Sequence, residues 1–489
     1  MYIKLSCNTF VRYTDRYGYI CNQLTRSDRN YNQTGLYFLK ELSREPRNVD
    51  EILNSLYKQF DDVNLNEVRE DFLDFVDDLA YERYILVGDT PQQCNEKDYR
   101  FTYAVDAESQ MVDPSVKGIK REPTSKSTTD YFLEEFQGHP IISTLQFELT
   151  SRCNERCIHC YIPNSKKNKG FDMPLKTVKN VLDQFREMGG IQVTLSGGEL
   201  FMHKDVNEII RYCREKDLKI TILTNLISLT DENLEVIKAA NIHLLQVSLY
   251  SMNPEIHDMI TTVKGSFSKT IASIHKLVKN DVPIQISCPV MKANWKGYKD
   301  VVEFGKSLKI IVLTDYLLMA RADLSTDNLA NRIDVEEVGV LLKDILEHDQ
   351  FYQEQVERRQ QEKLTEKWND KILEQPVCGV GYDNCCISAN GDVYPCAGWQ
   401  DYVIGNIYKK KLSDIWQNSE KVRVLRRLKN KLFPQCIECE ALDYCSRCLV
   451  RNYNESNGNF MKLNPHFCAV AFKTKEIVDD YLAKKDYHK

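Results

Sequence analysis

Between residues 141 and 313 short apolar runs alternate with stretches whose apolar residues recur at helical spacing, and this alternation sets the expected fold. Strand candidates are 145–149, 191–195, 219–223, 244–249, 284–287 and 310–313; helical patterns fill 175–188, 205–216, 231–239, 268–279 and 298–307. Six strands joined by helices predict an α/β architecture, a partial (β/α)6 TIM-like barrel spanning 141–325. Reactive groups in such barrels sit at the C-terminal ends of the strands.

Residues 1–90 follow a different pattern. Stretches 10–13 and 19–24 flank a polar connection with Gly18, as in a β-hairpin. Helical patterns follow at 33–42, from Asp50 through Ile52, Leu53, Leu56, Tyr57 and Phe60, and at Val68, Phe72, Phe75, Val76 and Leu79; residues 84–87 read as a closing strand. A hairpin with three helices predicts a winged-helix-like domain. Its third helix carries Glu67, Glu70, Asp71, Asp74, Asp77 and Asp78, which would repel phosphates, so no nucleic-acid partner is expected. Residues 91–140 are polar and contain Pro91, Pro114 and Pro123, as a linker does. Residues 326–375 read as a charged helical bridge, with Glu354, Glu357, Arg358 and Arg359 on a solvated face.

Composition narrows the class. The chain has 489 residues, 42% hydrophobic and 28% charged, enough for two or three soluble domains. No apolar run approaches the roughly 20 residues that cross a membrane. Residues 1–6 lack a secretory pattern, so cytoplasmic localisation is expected. A net charge of -6 adds no reason to expect nucleic acid. Seventeen cysteines in a reducing compartment point to metal or cluster binding rather than disulfides, because most of them cluster at short spacings. Cys7, Cys21, Cys94, Cys213 and Cys288 stand apart and read as small buried apolar residues.

The densest chemistry is the CxxxCxxC array of Cys153, Cys157 and Cys160, placed just after the first barrel strand. Three thiolates can hold a 4Fe-4S cluster and leave one iron without a protein ligand. A zinc site is the alternative, although zinc sites more often pair CxxC units or add histidines. After the second strand comes Ser196-Gly197-Gly198-Glu199, where glycines let backbone approach a ligand and a carboxylate can meet an amino group. Together the two motifs resemble the radical S-adenosylmethionine superfamily. The resemblance implies that the unique iron chelates the amino and carboxylate groups of S-adenosyl-L-methionine, and that Gly197, Gly198 and Glu199 hold the amino group. Reductive cleavage then gives a 5'-deoxyadenosyl radical. It also places His159, at a usually aromatic position, beside the adenine, and offers Asn225 and Ser248 for ribose or carboxylate and Lys264 for carboxylate. For Asn225 and Ser248 an ordinary hydrogen-bonding role at a strand end stands as the alternative.

The C-terminal region, 376–489, carries nine cysteines. Cys378, Gly391 and Cys396, followed by Cys436-x-x-Cys439, Cys445-x-x-Cys448 and Cys468, resemble the SPASM extension that binds auxiliary 4Fe-4S clusters. The resemblance assigns Cys378, Cys385 or Cys386, Cys396 and Cys448 to one cluster, and Cys436, Cys439, Cys445 and Cys468 to a second. The last gap is one residue shorter than the usual pattern, and a four-thiolate zinc site stays open as an alternative for 436–448. Residues 1–90 resemble the PqqD-like leader-recognition domain of ribosomal peptide maturases.

These resemblances imply an oxidoreductase that matures a ribosomally synthesised precursor peptide bound by its leader. It would use three 4Fe-4S clusters, one binding S-adenosyl-L-methionine and two auxiliary, fed by a flavodoxin- or ferredoxin-type electron donor. The product expected is an oxidative cross-link, foremost a thioether of sactipeptide or ranthipeptide type, with carbon-carbon or carbon-oxygen links as alternatives. Formylglycine formation is disfavoured, because Ala397 follows Cys396 where those enzymes place an aspartate.

Overall fold

Two antiparallel sheets, rather than one hairpin, frame the N-terminal domain of the computed structural model, which describes residues 1–13, 17–22, 27–59, 64–98, 140–163, 165–349, 352–357 and 373–486. Strand β1 (Tyr2–Leu5) lies between β5 (Arg47–Asn48) and β6 (Ile85–Gly88), and β2 (Thr9–Tyr13), β3 (Tyr17–Asn22) and β4 (Ser27–Asn32) form the second sheet in that order. Helices α1 (Gln33–Lys40), α2 (Val49–Tyr57) and α3 (Leu65–Tyr81) cover them. The Asn48 and Asn64 side chains cap α2 and α3. Val68, Phe72, Phe75, Val76 and Leu79 all point into the core, where Phe38 meets Phe72 and Phe75 edge-on.

Two departures from the sequence reading concern this domain. Strand β4 was invisible because Ser-Asp-Arg-Asn-Tyr-Asn offers no apolar alternation. Pairing with β3 holds it, and Arg29 reaches Asp78 and Glu82 of α3. The expected linker begins too early: α4 (Pro91–Glu96), capped by Thr90, returns to β1, buries Cys94 completely, and leaves Lys4 paired with Asp98 at 2.8 Å. The domain therefore extends to Asp98. The rest of the expected linker and Phe60 lie outside the described residues.

The barrel strands are β7 (Thr144–Glu148), β8 (Gln192–Ser196), β9 (Lys219–Thr224), β10 (Leu244–Ser248), β11 (Ile284–Pro289) and β12 (Ile311–Asp315), all parallel and adjacent in chain order. One face packs on the helices through residues such as Phe147, Leu195, Ile222, Val247 and Ile286, all fully buried. The other face carries Gln146, Thr194, Gln246 and Gln285, so these parallel strands alternate instead of reading as continuous apolar runs. Strand β12 is an edge, and Ile311 and Leu313 on it are exposed.

At the other edge the C-terminal domain continues the sheet. Strand β13 (Asn384–Ile387) pairs parallel with β7, and β14 (Asp392–Tyr394) and β15 (Gly405–Asn406) follow antiparallel, giving nine strands. The expected bridge is more than a solvated face: helix Val335–His348 buries Val338, Leu341, Leu342 and Ile345 against Ile477 and Val478 of helix Pro465–Asp486. Arg358 and Arg359 lie outside the described residues. Among the described residues no helix is long and apolar enough to cross a membrane.

The N-terminal domain docks on the turns before β8, β9 and β10, the end of the barrel opposite the strand C-termini. Buried Arg12 donates through Nε to the Gly190 carbonyl at 2.6 Å, Arg44 meets Asp217 at 2.6 Å, and Asn241 donates to the Cys7 carbonyl at 2.7 Å.

Candidate active site

The chain leaves β7 at Glu148 into the loop of Cys153, Cys157 and Cys160, and leaves β8 at Ser196 into Gly197-Gly198-Glu199. Backbone bonds clasp the two loops: Gly198 N to Thr150 O at 2.7 Å and Glu199 N to Arg152 O at 2.8 Å. The glycines serve this clasp. A Cβ on Gly198 would stand 2.2 Å from Arg152 O, and one on Gly197, whose φ is +153°, 2.7 Å from Thr150 O. The cysteine loop approaches these glycines from one side, and both also line the cavity that holds the three cysteines. Arg152 adds a bridge from Asp172 at 2.5 Å to the Met202 carbonyl at 2.6 Å.

The Glu199 carboxylate is buried and accepts from Thr224 Oγ1 at 2.6 Å, Asn225 N at 2.8 Å and Phe201 N at 3.1 Å. Burial raises its pKa, and these donors oppose the rise. A carboxylate has about four acceptor positions, so three bonds leave one for a ligand. Asn225 is tied to the cysteine loop through its Nδ2 and Asn154 Oδ1, 2.7 Å apart. Glu199, Thr224, Asn225, the three cysteines, His159 and Ser248 line one cavity of about 450 Å³ at the C-terminal ends of the strands. Lys264 is exposed, outside this lining, in a turn that Asp258 organises by accepting from Gly265 N, Phe267 N and Ser266 Oγ. The expectation that Lys264 holds a carboxylate is therefore not supported by its position.

None of the seventeen cysteines is paired in a disulfide. Burial pushes Cys153 up to about 12 and Cys157 well above its ordinary value, with Glu155 next to Cys157 adding to the rise. Coordination to a metal would offset that cost, since thiolates are the ligating form. In the C-terminal domain burial raises the pKa of Cys378, Cys396 and Cys386, and neighbouring thiols add to the rise: Cys448 and Cys396 at Cys378, Cys448 at Cys396, and Cys396 at Cys386. Burial likewise raises Cys436, Cys445 and Cys468, with Cys439 a neighbour that adds to each rise. The two open candidates separate by register. Cys385 lies beside Leu145 and belongs to the helix-side core, whereas Cys386 lies beside Gln146 on the opposite face. Among the described residues no three of these thiols lie within 4.8 Å of one another.

Residues 147–305 match the radical SAM superfamily, and residues 378–440 match SPASM, an iron-sulfur cluster-binding domain. The chain carries a radical S-adenosylmethionine domain and a SPASM domain. It is 28% identical to an AdoMet-dependent heme synthase of Methanosarcina barkeri, over 66% of this enzyme and 95% of that protein. It is 27% identical to the antilisterial bacteriocin subtilosin biosynthesis protein AlbA of Bacillus subtilis, over 63% and 68% respectively. The fold is similar to that of Streptococcus suis SuiB bound to its precursor peptide SuiA, with a TM-score of 0.62 and 16% identity over 95% of the enzyme and 99% of SuiB.

The residues present fit the cofactors this family implies. The three loop thiols reach the cavity with no fourth cysteine beside them among its lining residues, and two buried polar atoms at the site, Glu155 Oε1 and His159 Nδ1, have no protein partner. Burial lowers His159 to about 4, which keeps its ring neutral against Tyr250, with centroids 4.9 Å apart. Sequence reading missed Tyr250, whose hydroxyl lies 3.8 Å from Cys157 Sγ, as well as Asp315 and Arg451 in the cavity wall. Tyr250 and Asp315 stand just beyond or at strand ends, so strand position was the signal available; Arg451 comes from the C-terminal domain and gave none.

Proposed function

We propose that the enzyme matures a peptide, and that it carries three 4Fe-4S clusters. The first is held by Cys153, Cys157 and Cys160, the second by Cys378, Cys386, Cys396 and Cys448, and the third by Cys436, Cys439, Cys445 and Cys468. S-adenosyl-L-methionine at the first cluster supplies a radical that takes a hydrogen atom from the substrate. Around it, Glu199 accepts the cofactor's amino group with its remaining position, Ser248 and Asn225 line the cofactor's wall, and His159 and Tyr250 form the aromatic face. Fully ligated auxiliary clusters suit an oxidative outcome, in which the substrate radical loses an electron and a proton. We assign a thioether cross-link to the product, with carbon-carbon or carbon-oxygen bonds as alternatives and formylglycine formation less favoured. A flavodoxin- or ferredoxin-type protein provides the electrons.

The observation that carries the peptide reading is the N-terminal domain. Among the described residues, strand β2 faces the barrel and β4 is the last strand of its sheet, beside α3. An open strand edge next to a helix accepts an extended peptide by β-augmentation, as a PqqD-like domain does with a leader. The domain docks at the opposite end of strands five or six residues long, so leader and modified residue are separated by at least about 17–20 Å.

A second reading, a tetrapyrrole substrate, is favoured by the heme synthase relative. That match covers 95% of the relative and only 66% of this enzyme, so about a third of this enzyme has no counterpart in the matched relative. The test is anaerobic co-production with the short peptide encoded beside this protein, using Cys157→Ala as control. A loss of about 2 Da per modified site, absent in the control, supports cross-linking; an unchanged peptide together with conversion of an iron-coproporphyrin refutes it.

A further inference from the structure

A second cavity, about 660 Å³, adjoins the first: Leu317 and Arg451 line both. It lies between helix Pro465–Asp486 and the segments around Tyr316 and Tyr444, and aromatic and aliphatic side chains dominate its wall. Arg451 stands at the junction, on helix Leu449–Asn454. Its guanidinium lies over the Phe467 ring, 4.7 Å from the centroid. Among the described residues it has no carboxylate partner, and its Nε is buried without a hydrogen-bond acceptor. Arg332 provides the contrast, because it lies over the same ring at 4.9 Å yet is paired with Glu455 at 3.0 Å. Asp315 and Asp443 line the two cavities, yet among the described residues neither pairs with Arg451; a guanidinium held over a ring, buried in part and with its Nε unmatched is arranged to receive a carboxylate, which its fork fits.

We infer that Arg451 anchors a substrate carboxylate at the junction of the two cavities, with a neighbouring apolar or aromatic side chain of the substrate seated in the larger one. This deepens the peptide reading and rests on it. The carboxylate comes either from an acidic side chain near the modified residue or from the peptide's C-terminus. Anchoring there leaves the adjoining residue facing the cysteine-lined cavity, so Arg451 acts as a positioning residue.

The test measures binding to the cluster-loaded protein by calorimetry, with three synthetic probes. N-acetyl-Tyr-Glu-amide carries a side-chain carboxylate, N-acetyl-Tyr-Gly a C-terminal one, and N-acetyl-Tyr-Gln-amide none. At least one charged probe is expected to bind about tenfold more tightly than the neutral probe, and which one identifies the source. Arg451→Gln is expected to abolish that preference and Arg451→Lys to restore part of it, since a charge-assisted bond is lost and partly regained. If Arg451→Gln fails to take up its clusters, Phe467→Leu, which removes the stacking platform, is expected to weaken the same preference. Equal affinity for charged and neutral probes, or a preference that survives Arg451→Gln, overturns the inference. So does a loss of S-adenosylmethionine affinity as large as the loss of probe affinity, which assigns the guanidinium to the cofactor. An unchanged peptide mass in the co-production experiment strikes the peptide reading and not this binding result.

Discussion

Replacing Gly198 with alanine tests whether the clasp between the GGE turn and the cysteine loop positions the first cluster. The added Cβ would stand 2.2 Å from Arg152 O and 2.6 Å from Arg152 C. Both are backbone atoms and cannot swing away as a side chain could. Overpacking of this kind costs about 1–3 kcal/mol, and losing the two clasp bonds adds about 1 kcal/mol each. The strain falls between residues 150–153 and 197–199, while the apolar contacts of β7 and β8 lie on the other side of the sheet. Gly198→Ala is therefore expected to keep its far-ultraviolet circular dichroism and both auxiliary clusters, and to lose about four irons per chain, one cluster's worth. Reductive cleavage of S-adenosylmethionine should fall at least about tenfold, as the cluster loop leaves its geometry. Iron analysis with electron paramagnetic resonance reads the first effect, and 5'-deoxyadenosine release the second. Wild-type iron content with wild-type cleavage would refute the clasp.

Cys386→Ser should remove iron from one auxiliary site, whereas Cys385→Ser should leave the iron count unchanged and cost only packing, because the two side chains face opposite sides of β13; equal iron loss in both would contradict the register argument. Asp217→Ala should expose the N-terminal domain to trypsin, because Arg12, Arg44 and Arg214 all converge on that carboxylate, and breaking such a partly buried network costs on the order of 3 kcal/mol. Burial alone would raise the Asp217 pKa, but the three arginines outweigh it and hold it below its ordinary 3.8, so the contact is intact above that value and weakens as pH falls below it; trypsin-resistant docking that persists unchanged after Asp217→Ala would contradict this. Lys264→Ala should leave S-adenosylmethionine affinity unaltered, measured by equilibrium dialysis, since the side chain stands outside the cavity.

The barrel was legible because its strands carry a helix-side apolar residue every second position and its helices keep their own period, so the six elements stood out from one another. The cysteine loop and the GGE turn were legible as chemistry, but the task of the glycines was not, since a sequence does not show that Thr150 and Arg152 pass against them. Strand β4 was hidden because its stability comes from pairing and from Arg29 reaching α3, neither of which leaves an apolar pattern. The choice between Cys385 and Cys386 needed the register with β7, a contact between residues some 240 positions apart. Arg451 escaped for the same reason: only the folded chain brings the C-terminal domain against the strand ends.

The central claim is that the radical formed in this cavity acts on a peptide. The most direct test incubates the cluster-loaded enzyme with the neighbouring encoded peptide, deuterated in one residue type at a time, and measures deuterium in the released 5'-deoxyadenosine. Transfer from one residue type is expected, together with peptide mass loss, and neither with Cys157→Ala. Vigorous 5'-deoxyadenosine formation with no deuterium from any position would contradict it.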